Sequence, residues 1–387
     1  MDFDLTESQL DLQRRAQEFM AAEVFPQFQS WPVAAENYSA ELSARLLAKL
    51  DEYGLLRLNV PKQYGGQGLG AIEDVVVLTE LSKVPRHMPG GPFAPWPVMY
   101  QAPEAIKEKY LYPVLEGKTG WSMCFTEPSA GADLAGMKTN AVHKGDHWVI
   151  NGRKMWRTGH ANASYTAVAA VTDASKGSRG ISIFLVDNDT PGFSTVRDIS
   201  VLARTWGIEE EVELDNVVVP EQNLLGEEGA GFRIAQHQFN RFRLRLGGQA
   251  LGMAERSQEL AISYANEREV FGRKLGDNQA IQWMLTDNQY DIESIRWNTY
   301  HAAWLVDREE QGYSAARLQA SLVKAYCIDA GLRVVDRSMQ ILGGRGLSID
   351  DYPFGDFYTH LRMCKQMEGS TEIMKIVMAR EILGRRV

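Results

Sequence analysis

Beyond about residue 231 the chain repeats apolar residues at near-heptad steps, and few folds can bury such a pattern. Ile281, Leu285, Ile292, Ile295, Thr299, Ala302 and Val306 form one stripe; Leu318, Leu322, Ala325, Ile328, Leu332, Val335 and Met339 form another, with Ser314 placed to cap it. Long amphipathic helices joined by short loops predict an antiparallel bundle. The preceding stretch has a different texture. Between about 121 and 225, YTAVAAV, GISIFLVD and VELDNVVVP are short, β-branched and bounded by turn residues, which predicts a β domain. Asn151-Gly152, set between alternating runs, predicts a hairpin turn.

The first 120 residues read as helices broken by loops. Leu5, Leu12, Ala16, Phe19 and Met20 keep close to helical spacing, with Thr6 or Ser8 as start signal, and 40–53 continue the pattern. PKQYGGQGLG (61–70) and the Pro/Gly-dense 85–97 interrupt it. The fold class predicted is α+β, mainly α, with an N-terminal helical domain over 1–120, a middle β domain over 121–230 and a C-terminal helical bundle over 231–387. A length of 387 residues suits two to three such domains, at roughly 150 residues each.

Charge and cysteine use narrow the function classes. A net charge of −9 speaks against non-specific nucleic-acid binding. No run reaches the roughly 18 apolar residues of a membrane span. Cys124, Cys327 and Cys364 lack CxxC spacing, which argues against a disulfide framework or zinc cluster and for a reducing compartment. The acidic start MDFDLTESQL has neither a basic n-region with an apolar stretch nor an Arg-rich presequence, so a cytoplasmic protein is expected. The seven histidines show no metal-ligand spacing, and there is no Walker loop, HExxH or nucleophile elbow. GGRG at 343–346 reads locally as a helix stop or as a phosphate-approaching loop.

Five segments in order carry more: CFTEPSAGADLAGMKT (124–139), KMWRTG (154–159), REVFGRKLGDNQAIQ (268–282), QILGGRG (340–346) and MEGSTEI (367–373). Together they resemble the acyl-CoA dehydrogenase family over essentially the whole chain, which implies a β-barrel-like middle domain, a C-terminal four-helix bundle and FAD as cofactor. A flavin needs an apolar wall, hydrogen bonds to its ring edge and neutralisation of its pyrophosphate. The resemblance places Trp156 against the flavin and Thr158 near N5. Two apart on a predicted strand, the two would share a face; Trp156 also suits a core aromatic of the hairpin. Met123, Phe125, Thr126 and the Gly131-Ala132 backbone would line the cofactor. Arg268, Phe271 and Gln279, with Gln340, Gly343 and Gly344, match positions that reach the FAD of a neighbouring subunit, which implies a homo-oligomer, in the family a homotetramer built as a dimer of dimers.

The resemblance makes Glu368 the base that takes the α-proton of an acyl-CoA thioester, with Ser370 and Glu372 beside the cofactor, Ser370 or Thr371 capping the last helix, and an electron-transfer flavoprotein as electron acceptor. The β-hydride would pass to flavin N5, leaving a trans-2-enoyl thioester. An exposed Glu, with a pKa of roughly 4.3, is far too weak for this, so burial must raise it. Relatives that carry the base on an earlier helix have it where this chain has Phe242. Arg243 matches an arginine near the thioester, or is a surface charge in an Arg-rich stretch. Asn240 stands where an acidic residue often helps hold the CoA.

Other positions depart from the family pattern: Ala132 for Ser, Arg157 and Gly159 beside Thr158, Thr359-His360 for an Arg-Asp pair, and Met367 for Tyr. With Phe93 and Trp96 in a segment that shapes the distal acyl pocket, they suggest an unusual acyl group. Alternatives on the same scaffold are a dehydrogenase or reductase of an atypical or carrier-bound thioester, and a flavin oxidase or monooxygenase. A non-enzymatic helical scaffold is the reading from another class.

Overall fold

A computed structural model describes residues 4–28, 40–84, 95–159, 163–202, 208–308 and 313–384. The 85–94 part of the Pro/Gly-rich segment, with Phe93, lies outside them. The chain divides into two compact units, one made of Met1–Phe93, Leu202–Arg204 and Asn240–Val387, the other of Ala94–Val201 and Thr205–Phe239.

The first unit is helical. Helix α1 (Glu7–Phe19) starts at Thr6, whose hydroxyl accepts from the Gln9 N–H while the Gln9 side chain accepts from the Thr6 N–H, a reciprocal capping box. It runs into a π turn, Met20–Val24. With α2 (Ala40–Glu52) and α3 (Ala71–Leu81) it buries Leu12, Phe19, Leu46, Leu50 and Val77 in one cluster. The N-terminus of α3 is closed by a distant residue: the Asp307 carboxylate accepts from the N–H groups of Ala71 (2.6 Å) and Ile72 (3.3 Å), satisfying donors that a helix leaves open.

The long helices of the same unit follow later in the chain. The second unit supplies the elements numbered in between: α4 (Glu104–Ile106) and α5 (Tyr112–Leu115), joined by a π turn at Lys107–Leu111. Helix α6 (Gly231–Glu267) and α7 (Gln279–Asp307) are followed by α8 (Tyr313–Leu322) and α9 (Ile328–Leu342), between which Val323–Cys327 form a π turn. Then come α10 (Phe354–Cys364) and α11 (Thr371–Ile382). Of the predicted seams, Ile292, Ile295, Thr299, Ala302 and Val306 on α7 and Ala325, Ile328 and Val335 on the later stripe are buried, while Ile281, Leu285, Leu318, Leu322, Leu332 and Met339 are half-buried. Sequence periodicity gives no sign that the second stripe is interrupted at 323–327.

The second unit holds a seven-stranded sheet. Its strands are β1 (Gly120–Cys124), β2 (Asn140–Lys144), β3 (His147–Gly159), β4 (Ala163–Val171), β5 (Ile181–Asp187), β6 (Phe193–Ile199) and β7 (Ile208–Pro220). The order is β1-β4-β2-β3-β7-β6, with β5 antiparallel to β4. Trp148, Ile150, Val168, Phe184, Val186 and Val217 fill its core.

Asn151-Gly152 is not a hairpin turn, contrary to the sequence expectation. It lies inside β3, and the β2–β3 turn is Gly145-Asp146, with Lys144 paired to His147 and Gly145 at φ +77°. Pairing with β7 runs on through the site at a bulge, Ile150 opposite Val217 and Gly152 opposite Leu214. Asn151 serves that bulge by accepting the Asn216 N–H at 2.8 Å. Glycine is required at 152 because a Cβ there would sit 2.3 Å from Thr139 Oγ1. Local turn propensity yields to strand pairing on both sides.

Candidate active site

Three of the five non-glycine residues with positive φ among the described residues are candidates from the sequence: Trp156 (+62°), Phe271 (+49°) and Glu368 (+54°). This backbone region is costly for a bulky side chain and tends to persist at functional sites.

In the second unit Trp156 is the extra residue of a bulge, for Met155 pairs with Glu211 and Arg157 with Glu210. The alternation that would give Trp156 and Thr158 one face is therefore broken. Nor is Trp156 a core aromatic: it is 47% exposed. The Thr158 hydroxyl donates to the Glu209 carboxylate, 3.2 Å from both oxygens. Burial pushes the Glu209 carboxyl above its usual range, the Thr158 bond opposing and Glu210 adding to it. Arg157 is buried, its Nε donating to Thr166 Oγ1 at 3.0 Å and its guanidinium paired with Glu210. Arg157, one of the departures from the family pattern, is thus matched by Glu210 of β7.

The loop after β1 is fixed from within. Lys154, fully buried on β3, donates to Glu127 Oε1 at 2.9 Å and to the Phe125 carbonyl at 3.1 Å. Glu127 also accepts the N–H groups of Lys138 (2.7 Å) and Thr139 (2.9 Å). Burial opposes the Glu127 charge, but Lys154 and these donors outweigh it and hold the carboxyl below its usual range. Phe125 is buried against Trp96 and Phe239. Met123 and Thr126 are half-buried, and the Thr126 carbonyl accepts from the Met155 N–H, tying this loop to the strand of Trp156. Gly131 and Ala132 are exposed, and a Cβ at Gly131 would meet nothing closer than 3.9 Å.

In the first unit the structure brings Asn240, Arg243 and Glu368 together. Arg243 is buried rather than a surface charge; its Nε donates to the Glu368 carbonyl (3.1 Å) and its Nη1 to Asn240 Oδ1 (2.9 Å). Ser370 caps α11, accepting from the Ile373 N–H at 3.4 Å, and Glu372 lies exposed in the first turn. Glu368 as a residue is half-buried, and its Oε2 is buried with no hydrogen-bond partner among the described residues. Asn240 Nδ2 and Thr371 Oγ1 are in the same condition. Burial raises the Glu368 pKa to about 7, against the opposing charges of Arg243 and Lys324. Phe242, beside Arg243, is half-buried and offers no proton acceptor.

The departures in α10 are absorbed locally. The Thr359 hydroxyl donates to the Gly355 carbonyl (2.8 Å), while His360 Nε2 lies 3.2 Å from Cys364 Sγ and 3.3 Å from Gln249 Oε1. Burial lowers the His360 pKa to about 4, so the imidazole is neutral at pH 7. Met367 is half-buried and packs against the core of the unit.

A third set is exposed on the first unit. Arg268, Gln279, Gln340, Gly343 and Gly344 are all solvent-facing. Phe271 forms the tip of a hairpin between β8 (Glu269–Val270) and β9 (Arg273–Lys274) and is fully exposed, at 103%. Gly343 ends α9 at φ +60°, so the GGRG segment is a helix stop, and a Cβ at Gly344 would meet nothing within 4 Å.

The description "acyl-CoA dehydrogenase" matches three times along the chain: the N-terminal domain over 6–118, the middle domain over 122–217 and the C-terminal domain over 229–383. A short-chain-specific acyl-CoA dehydrogenase of Clostridium acetobutylicum is 32% identical, covering 99% of this chain and 100% of the relative. The chain belongs to the acyl-CoA dehydrogenase family. The caffeyl-CoA reductase-Etf complex subunit CarC of Acetobacterium woodii is 31% identical over 89% of this chain and 91% of its own length. The solved butyryl-CoA dehydrogenase of Megasphaera elsdenii has 29% identity and a TM-score of 0.85, covering 99% of this chain and 100% of that one.

Acyl-CoA dehydrogenases are FAD-dependent oxidoreductases, and the residues present fit such a group. Two aromatic rings, Trp156 and Phe271, are exposed on positive-φ backbone, the kind of surface against which a planar cofactor packs. Among the described residues a Cβ at Gly131 would meet nothing closer than 3.9 Å and one at Gly344 nothing within 4 Å, which leaves space beside the main chain. Sequence reasoning missed Glu127, Lys154, Glu209 and Lys324. For Lys154 and Lys324 the signal was a lysine at an inward position of an apolar pattern, which demands a buried partner.

Proposed function

We propose that this acyl-CoA dehydrogenase catalyses α,β-dehydrogenation of an acyl-CoA thioester to the trans-2-enoyl-CoA, with Glu368 taking the α-proton. The observation that carries the reading is the Glu368 carboxyl: buried and unpartnered at Oε2, and presented by a strained turn whose carbonyl Arg243 grips. A carboxylate in that condition is a far stronger base than one in water. Asn240 Nδ2 and Thr371 Oγ1 are unused polar atoms of the kind a bound polar ligand satisfies. FAD, when bound, accepts the hydride that leaves Cβ. In the second unit Trp156 would supply an apolar wall for it, Thr158 a polar contact at its ring edge, and Met123, Phe125, Thr126, Gly131 and Ala132 a lining; in the first unit Ser370 and Glu372 would serve it. The same residues serve the reverse direction, which the relative named caffeyl-CoA reductase represents. That relative's Etf complex supports an electron-transfer flavoprotein as redox partner here.

Because the base acts as a carboxylate, kcat/KM is present above the Glu368 pKa and lost below it. Anaerobic flavin reduction by acyl-CoA is expected to fall as pH drops through about 7. A rate that stays flat down to pH 5 would exclude Glu368 from this role.

The homo-oligomer proposal rests on α7. Trp283, Tyr290, Trp297 and Trp304 are spaced by seven residues and all exposed, an aromatic stripe along one helical face. Contact with a second copy would cover it, and Arg268, Phe271, Gln279, Gln340, Gly343 and Gly344 would then reach a neighbour's FAD. The double variant Trp283→Glu/Tyr290→Glu is expected to lower the mass measured by light scattering and to weaken FAD retention with it. An unchanged assembly would remove the stripe from the interface.

A further inference from the structure

Lys324 is a charged residue near Glu368 to which the reaction above assigns nothing. It is fully buried in the π turn Val323–Cys327 that separates α8 from α9, and such turns inside long helices mark functional sites. Its Nζ donates to the Lys365 carbonyl at 2.6 Å, and the same carbonyl accepts the Thr371 N–H at 3.1 Å. The 365–371 turn is therefore pinched closed at its base, with the ammonium on the carbonyl that closes it. Glu368 (φ +54°) and Gly369 (φ +93°) are its strained crest. Arg243 holds the crest by the Glu368 carbonyl. Two buried cations thus grip the turn by its main chain and leave the carboxyl uncommitted.

We propose that Lys324 is a positioning residue for Glu368, fixing the turn through the Lys365 carbonyl and adding a second positive charge to the field at the carboxylate. The proposal rests on the reading of Glu368 as the base. The surrounding groups leave the charge effect to this pair and Arg243. On α10, burial drives Cys364 up to about 12, so it stays a thiol, and the His360 imidazole is neutral. Lys365 is paired with Asp329 of α9 at 2.6 Å, and Glu372 on α11 is exposed. Burial lowers Lys324 itself to about 8, with Arg243 adding to the fall and Glu368 and Glu372 opposing it. It remains mostly charged at neutral pH.

The test uses FAD-loaded full-length protein, with butyryl-CoA as probe. Removing the charge in Lys324→Met takes away an attraction that favours the carboxylate, so the Glu368 pKa rises. The acid limb of anaerobic flavin reduction is expected to move up by about one pH unit. The carboxyl titration of Glu368, read without substrate by infrared difference against Glu368→Gln, is expected to move by the same amount, and Lys324→Arg to restore both. FAD occupancy stays that of the parent. Unmoved midpoints in a folded, FAD-bearing Lys324→Met variant would overturn the proposal and reduce Lys324 to packing. If that variant does not accumulate, Lys324→Gln, which keeps an N–H and removes the charge, gives the same decision. A shifted infrared titration in a protein whose Glu368→Gln variant still reduces its flavin would uphold the Lys324–Glu368 link and discard the base reading.

Discussion

Glu368→Gln is expected to keep its FAD and lose flavin reduction by acyl-CoA by at least about three orders of magnitude. The amide has nearly the volume of the carboxyl, and the contact that fixes the turn is made by the main chain: Arg243 Nε donates to the residue 368 carbonyl, which any side chain leaves in place. The φ of +54° and the cap at Ser370 are likewise independent of the carboxyl. What disappears is the proton acceptor, since an amide oxygen has almost no basicity at neutral pH. The expected signature is a yellow variant that butyryl-CoA does not bleach without oxygen. Bleaching at more than about one-tenth of the parent rate would remove Glu368 from the mechanism, whereas loss of the yellow colour would show that the side chain holds the fold or the cofactor instead.

The second large effect concerns stability. Glu127→Ala strands the Lys154 ammonium, fully buried with only the Phe125 carbonyl left as an oxygen acceptor, and takes the acceptor from the Lys138 and Thr139 N–H groups. Breaking a buried pair from one side costs on the order of 3–5 kcal/mol. The cost falls on the loop between β1 and β2, where Thr126 and Gly131 sit, so FAD retention is expected to weaken together with the urea midpoint of the β unit. Replacing both partners by apolar residues, as in Glu127→Leu/Lys154→Met, is expected to recover most of the midpoint, because no uncompensated charge remains. A single variant as stable as the parent would mean that water or loop movement solvates Lys154, and that the pair does not lock the loop.

Much of this was legible in the chain. The α7 stripe is the buried seam, because a period near 3.6 leaves a long helix one way to hide its apolar side. Thr6 and Ser370 cap the helices they precede, since a hydroxyl at that position meets donors the helix leaves open. Other local signals misled. Asn151-Gly152 is a bulge rather than a turn, because pairing with β7 continues across it. Trp156 stands out of register with Thr158 for a similar reason: one inserted residue breaks the period on which the alternation depends.

The order of five short segments was enough to place this protein among the acyl-CoA dehydrogenases and to single out Glu368. Motif residues are local in sequence and survive on the page without coordinates. What only the tertiary structure decided is the electrostatic state of that residue. Arg243 and Lys324 lie 125 and 44 positions away in the chain, and only folding brings both charges to bear on one carboxyl. A pKa of about 7 instead of an ordinary carboxylate value follows from burial, which the cations Arg243 and Lys324 from separate helices only partly offset, and a linear sequence records neither.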